Sequence, residues 1–175
     1  MQLPDRRRAV KTKLLRGKLS ARGLKFAIIV SRFNELVTEK LYRAALECLG
    51  VHGGAERNVE SYSCPGSFEI PQVAKALAES GKYDALICLG CVIRGETPHF
   101  EYVAGEAARG IGHVARATGV PIAFGVLTTD TPKQALDRAG GKKGNKGWDA
   151  ALSAIEMASL MKDLRSRNKP VKRKR

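Results

Sequence analysis

The 175-residue sequence predicts an α/β fold, a flavodoxin-like three-layer α/β/α sandwich around a four-stranded parallel sheet. Two observations carry this. From Phe26 onward, short apolar, β-branched runs alternate with amphipathic stretches of helical spacing. The third run is almost unbroken, as in a strand buried on both faces. Four strands alternating with helices make a parallel sheet, because parallel neighbours need crossover connections and right-handed crossovers dominate. The length is that of one domain.

The first strand covers 26–30 (Phe-Ala-Ile-Ile-Val), too short and β-branched for a helix. It runs into Ser31-Arg32-Phe33-Asn34, a polar turn that offers an N-cap. Val37, Leu41, Ala44, Ala45, Cys48 and Leu49 then recur at helical spacing until Gly50. A weaker strand, 57–63, precedes Pro65-Gly66. Ser67 is expected to cap a second helix, which places Ile70, Val73, Ala74 and Leu77 on one face and ends at Gly81. The third strand is 85–91, and a loop, 93–97, follows it. Thr97 as cap and Pro98 in the first position open a third helix, with Val103, Ala104, Ala107, Ala108, Ile111, Val114 and Ala115 as its buried stripe.

Pro121 precedes the fourth strand, 122–127, which exits through Thr128-Thr129-Asp130. A short helix over 132–139, a glycine-rich connection over 140–147 and a last helix over 148–164 follow. On that last helix Leu152, Ile155 and Ala158 form one apolar face, and Ala150, Ala154, Met157 and Met161 another. A helix apolar on two sides has two partners, here expected to be its own sheet and a neighbouring subunit.

The formal charge is +14, from 31 Lys or Arg against 17 Asp or Glu. Residues 1–25 hold nine basic residues and one acid, residues 162–175 hold eight and one, and residues 26–161 hold 14 and 15. The basicity thus belongs to two tails on a near-neutral body, which argues against a basic stripe built into a nucleic-acid-binding fold. The expected plan is a basic arm over 1–25, a folded domain over 26–164 and a basic tail over 165–175. No apolar run approaches the roughly 18–20 residues of a membrane span. The arginine-rich N-terminus has no apolar h-region, and its single serine, Ser20, argues against a transit peptide. A cytoplasmic protein is expected.

Cys88 and Cys91 form a C-x-x-C pair, but positions three apart in a strand point to opposite faces and lie roughly 10 Å apart, too far for a disulfide. No second C-x-x-C or histidine pair completes a zinc site. These two, with Cys48 and Cys64, are expected to be free apolar fillers in a reducing compartment.

In an open parallel sheet the ligand crevice lies outside the carboxyl ends of the strands, where segments 31–34, 64–69, 91–99 and 124–130 fall. Gly95-Glu96-Thr97 leads into a helix N-terminus, whose N–H groups and dipole favour an anion such as phosphate; simple capping is the other reading. His99, in the first turn, is placed to shuttle a proton near neutral pH or is a plain exposed histidine. His113 and His52 read as solvated. Phe33 and Phe124 suit either stacking on a flat heterocycle or the core. Glu69 opens a helix, where the dipole favours its charge. Arg138 and Lys146 bracket a basic loop that is either a phosphate ligand or solvated. The sequence has no G-x-G-x-x-G, Walker lysine pattern, Ser/His/Asp arrangement or metal-ligand cluster. Residue chemistry alone supports a site for a phosphorylated small molecule with a planar ring.

The motifs Ser31-Arg32-Phe33-Asn34, Pro65-Gly66-Ser67-Phe68-Glu69-Ile70-Pro71, Leu89-Gly90-Cys91-Val92-Ile93-Arg94-Gly95-Glu96-Thr97-Pro98-His99-Phe100, Phe124-Gly125-Val126-Leu127-Thr128-Thr129 and Gly144-Asn145-Lys146-Gly147 together resemble lumazine synthase (6,7-dimethyl-8-ribityllumazine synthase). They keep that family's order and spacing from about Leu24 to Leu160. The resemblance implies condensation of 5-amino-6-(D-ribitylamino)uracil with 3,4-dihydroxy-2-butanone 4-phosphate in riboflavin biosynthesis, with release of phosphate and water and with no metal or organic cofactor. It implies that Phe33, with Asn34 beside it, meets the pyrimidine by stacking. Ser67, Phe68 and Glu69 hold the ribityl chain. Cys91, Val92 and Ile93 meet the heterocycle largely through backbone groups. Glu96 and Thr97 serve the phosphate end, and His99 transfers the proton.

Phe124, Arg138 and Lys146 would come from a neighbouring subunit. The family implies a pentamer, and the short connection over 140–147 favours a 60-subunit capsid; riboflavin synthase is an implied partner. A non-catalytic lumazine- or flavin-binding relative is the alternative. The two basic tails depart from the family pattern; facing a capsid lumen they would hold anionic cargo, and otherwise they serve solubility.

Overall fold

The computed structural model describes residues 12–168. The four expected strands form: β1 (Phe26–Ser31), β2 (Val59–Cys64), β3 (Ala85–Ile93) and β4 (Ile122–Thr129). Helices α1 (Glu35–Val51), α2 (Ile70–Glu79) and α3 (His99–Thr118) connect them, and α4 (Pro132–Arg138) and α5 (Lys146–Arg167) follow β4. The sheet is wholly parallel in the order β2-β1-β3-β4, with Ser31 beside Cys64 and Val30 beside Leu89. β1 and β3 are therefore central and buried, while β2 and β4 are edges.

Strand alternation divides the core in two. Phe26, Ile28, Ile87 and Leu89 face Leu41 and Leu49 of α1 and Ile155 of α5. Ala27, Ile29, Leu86 and Cys88 face Ile70 of α2 and Ile111 and Val114 of α3. Each fully buried Leu or Ile contributes about 1.5–3 kcal/mol. Cys88 and Cys91 belong to opposite sides of the sheet, and all four cysteines are free.

Several local expectations are corrected. Ser67 does not cap α2: Ser67–Glu69 forms a 3-10 turn ahead of it, and Ser67 is buried against the sheet. Thr97 does not cap α3, which begins at His99 after Pro98. Asn34 precedes α1 without a side-chain cap bond. The connection over 140–147 is a small antiparallel hairpin, β5 (Ala139–Gly141) and β6 (Gly144–Asn145), and α5 already starts at Lys146, capped by the Asn145 side chain accepting from Gly147 N–H at 2.9 Å.

The two faces assigned to α5 mix. Ala150, Ala154, Ile155 and Ala158 are all buried together, because α5 packs at once on the sheet and on α1. Met157 and Met161 stay nearer the surface and with Phe124 line a hollow along the open edge of β4. His52 is half-buried, its ring edge-on to Trp148 with centroids 6.2 Å apart. Gly147 lets α5 lie directly on α1: a Cβ there would stand 2.0 Å from the Leu41 carbonyl oxygen.

The tails meet the body more closely than the charge boundaries imply. Ala21 and Leu24 are buried in the core, and the Lys18 N–H donates to the Ser159 hydroxyl on α5 at 3.0 Å. At the other end α5 runs through Arg167, and Arg165 donates to the Gly119 carbonyl at the end of α3 at 2.8 Å. Of the two basic tails on which the cargo expectation rests, 1–25 and 165–175, residues 1–11 and 169–175 lie outside the described residues. No helix among the described residues is long and apolar enough to cross a membrane.

Candidate active site

At the carboxyl ends of β1 and β3, beneath the first turns of α3, lies a cleft of about 480 Å³. That volume suits a small molecule. Phe33, Phe68, Glu69, Thr97 and His99 converge there, with Ser67 and the β3 residues Cys91, Val92 and Ile93 forming its floor and wall.

The chain holds Phe33 in place through its backbone. Beyond the end of β1, Arg32 N–H donates to the Cys64 carbonyl at 2.9 Å and Phe33 N–H to the Pro65 carbonyl at 3.0 Å, extending the β1–β2 pairing into the turn. Asn34 then takes a left-handed conformation (φ 62°), which asparagine tolerates better than most residues. Its side chain donates to the Cys91 carbonyl at 2.9 Å. Asn34 therefore ties the exits of β1 and β3 together and is not among the residues that line the cleft. Phe33 is left 71% exposed at the cleft mouth, with its ring open to a stacking partner.

Glu69 is fixed by accepting the Gly66 N–H at 2.8 Å. Its carboxylate thereby faces the cleft from the head of α2. Ser67 sits differently from the expectation. Its hydroxyl is buried without a partner, and it fits only because Gly90 has no side chain: a Cβ on Gly90 would lie 2.5 Å from the Ser67 Oγ. Any contact it makes with a ligand in this conformation comes from its backbone.

Cys91 is no nucleophile. Its side chain belongs to the core on the α1 side, and burial pushes the thiol up to about 11, so it stays protonated near neutral pH. With Val92 and Ile93 it lines the cleft from the end of β3. Thr97 and His99 reach the cleft from the α3 end, where N–H groups and the helix dipole favour an anion. Glu96 is exposed and does not line the cleft.

Phe124, Arg138 and Lys146 gather elsewhere. They line a second hollow of about 340 Å³ on the outer edge of β4, and no residue lines both hollows. Phe124 is 46% exposed there. Arg138 donates to the Gln134 carbonyl at 3.0 Å, and Lys146 pairs with Asp149 at 2.8 Å. The structure thus presents a cleft lined by aromatic, carboxylate and imidazole groups and, apart from it, a hollow lined by aromatic and basic groups.

Sequence reasoning missed three participants. Gly90 seats Ser67; a glycine inside an otherwise apolar strand signals such close approach. Ser31 is fully buried beside it, its hydroxyl also without a partner. Arg94 spans the link between β3 and α3, and nothing local in the sequence marks its partners.

A parallel α/β sheet with an exposed ring, a carboxylate and a histidine grouped at its carboxyl edge has its cleft where open sheets of this class bind small molecules. Over residues 23–162 of the 175, the chain matches the family model described as 6,7-dimethyl-8-ribityllumazine synthase, and it belongs to that family. Its biochemical setting is riboflavin biosynthesis of the lumazine synthase type.

Proposed function

We propose that the chain condenses 5-amino-6-(D-ribitylamino)uracil with 3,4-dihydroxy-2-butanone 4-phosphate to give 6,7-dimethyl-8-ribityllumazine. The observation that carries this reading is the convergence of Phe33, Glu69, Thr97 and His99 on one cleft in a chain of this family. Phe33 stacks on the pyrimidine, and Glu69 with the Ser67–Phe68 backbone holds the ribityl chain. The β3 backbone at Cys91–Ile93 reads the edge of the heterocycle.

The ring amine attacks the ketone and water leaves to form an imine. Phosphate then departs as the adjacent carbon loses a proton, with His99 moving that proton. The resulting enol tautomerises to a ketone, which the ribitylamino nitrogen attacks to close the second ring with loss of another water. Holding the two substrates together supplies much of the rate, and proton transfer by His99 a further part.

The separation of the two hollows within one chain supports a site shared between subunits. Phe124, Arg138 and Lys146 of a neighbouring copy complete the phosphate end, the guanidinium engaging two phosphate oxygens. The assembly is a pentamer or a capsid of pentamers. Incubating purified protein with both substrates, and following lumazine absorbance and released phosphate, tests the reaction. No turnover above the uncatalysed rate overturns it, and lumazine binding without turnover favours the non-catalytic relative. Sedimentation decides the assembly.

A further inference from the structure

Arg94 is the first residue beyond β3 and stands at the root of Gly95-Glu96-Thr97-Pro98, the link that carries Thr97 to the cleft and ends at His99. Its backbone N–H donates to the Thr129 carbonyl at 2.8 Å, so its main chain is an extension of the sheet. Its side chain then spans the link. Nη1 donates to Glu101 Oε1 at 2.6 Å in the first turn of α3, and Nε donates to Asp130 Oδ1 at 2.9 Å at the exit of β4. The guanidinium carbon lies 4.2 Å from the centroid of the Phe100 ring. Among the described residues, no other side chain joins the two ends of this link by hydrogen bonds.

We propose that Arg94 is a positioning residue: it sets the conformation of link 95–98, and through it the places of Thr97 and His99, for the phosphate-bearing substrate. Two carboxylates and a ring engage one rigid, planar group, which limits its orientation more than any one contact would. With two donor edges on carboxylates and one face on Phe100, the guanidinium acts as a strut and not as a phosphate clamp. Each ion pair is largely exposed, so its yield in folding stability is small. Its yield in geometry is larger, because a displacement of about 1 Å at a reacting group lowers rates by up to about 10²-fold. The strut also has a foot near the second hollow. Asp130 N–H donates to Gln134 Oε1 at 2.9 Å, on the helix that ends in Arg138.

The substrate named here rests on the proposed function, so the test has an arm that does not need turnover. In the full chain, Arg94→Gln and Arg94→Lys are compared with the parent for kcat, for KM of each substrate, for calorimetric binding of inorganic phosphate and for melting midpoint. Arg94→Gln is expected to raise KM for the butanone phosphate, and to weaken inorganic phosphate, by about tenfold or more. KM for the pyrimidine and the melting midpoint stay near the parent's. Arg94→Lys recovers only part, because an ammonium cannot form the fork or lie flat on the ring. Unchanged phosphate affinity in Arg94→Gln overturns the proposal, as does parallel loss of both substrates with a lowered midpoint, or a parent that binds no phosphate. A parent that binds phosphate yet makes no lumazine refutes the reaction, while the phosphate arm still decides on Arg94.

Discussion

Replacing Gly147 by alanine adds one methyl group where the first turn of α5 lies on the backbone of α1. The new carbon would stand 2.0 Å from the Leu41 carbonyl oxygen, 2.6 Å from its carbon and 2.7 Å from its Cα. Comfortable carbon contacts are about 3.5–4.0 Å, so even against the lower figure the overlap is about 1.5 Å at the oxygen and nearly 1 Å at the two carbons. All three are backbone, and no rotamer change relieves them; the helices must part. Overpacking of this kind costs about 1–3 kcal/mol, and alanine's helix propensity returns at most about 1 kcal/mol. With no side chain able to yield, a net loss of about 2 kcal/mol is expected. For a chain of this size that lowers the melting midpoint by roughly 4–8 °C.

Gly50 supplies the control. It lies near the end of α1 with nothing within 4 Å of its Cβ position, so Gly50→Ala should be neutral or stabilising by up to about 1 kcal/mol. Thermal unfolding followed by circular dichroism, at matched protein concentration because assembly contributes, measures both. A Gly147→Ala midpoint within about 1 °C of the parent, or a shift of the same sign as Gly50→Ala, would refute the reasoning.

Three further outcomes are expected. His99→Ala should slow lumazine formation by about 10²-fold without abolishing it, since substrate positioning survives; steady-state absorbance measures this, and an unchanged rate removes His99 from proton transfer. Cys48 and Cys91 are both pushed up to about 11, Cys48 by burial and then by the Asp149 and Glu47 charges, and Cys91 by burial. The folded state therefore keeps protons that the unfolded chain releases, so stability should be constant at neutral pH and fall as pH rises above about 8.5. Denaturation midpoints across pH 7–10 check this, together with iodoacetamide, which should label the thiols only after unfolding. Ser31→Ala removes a buried hydroxyl that has no partner and should be neutral or stabilising by about 1 kcal/mol; a clear loss in the melting midpoint would mean that the hydroxyl is satisfied in solution.

Much of the cleft is legible from position along the chain. Phe33, Glu69, Thr97 and His99 lie just past strand ends, and a parallel sheet sends all such segments to one edge, so their convergence follows from the fold class alone. The sequence offers Ser67, Asn34 and Thr97 as helix caps, but tertiary packing holds the first two side chains away from their helix ends. Gly90 left room for Ser67 on the sheet, and the Cys91 carbonyl claimed the Asn34 amide. Those competitors lie more than 20 residues away in sequence, and no local pattern shows them. The same holds for α5, whose small residues allow a backbone-close contact with α1 that turns two apparent faces into one buried flank.

Hydropathy period, turn residues and ordered motifs by themselves determined the four strands, the helices between them, the free cysteines, the near-neutral body and the family. These are properties of neighbours in the chain, where side-chain spacing and backbone preference act directly. Only the tertiary structure decided the strand order β2-β1-β3-β4, the assignment of Phe124, Arg138 and Lys146 to a hollow apart from the cleft, and the convergence of Glu101 and Asp130 on Arg94. Those outcomes depend on which elements pack against one another, and the energies involved come from contacts between residues that the sequence keeps far apart.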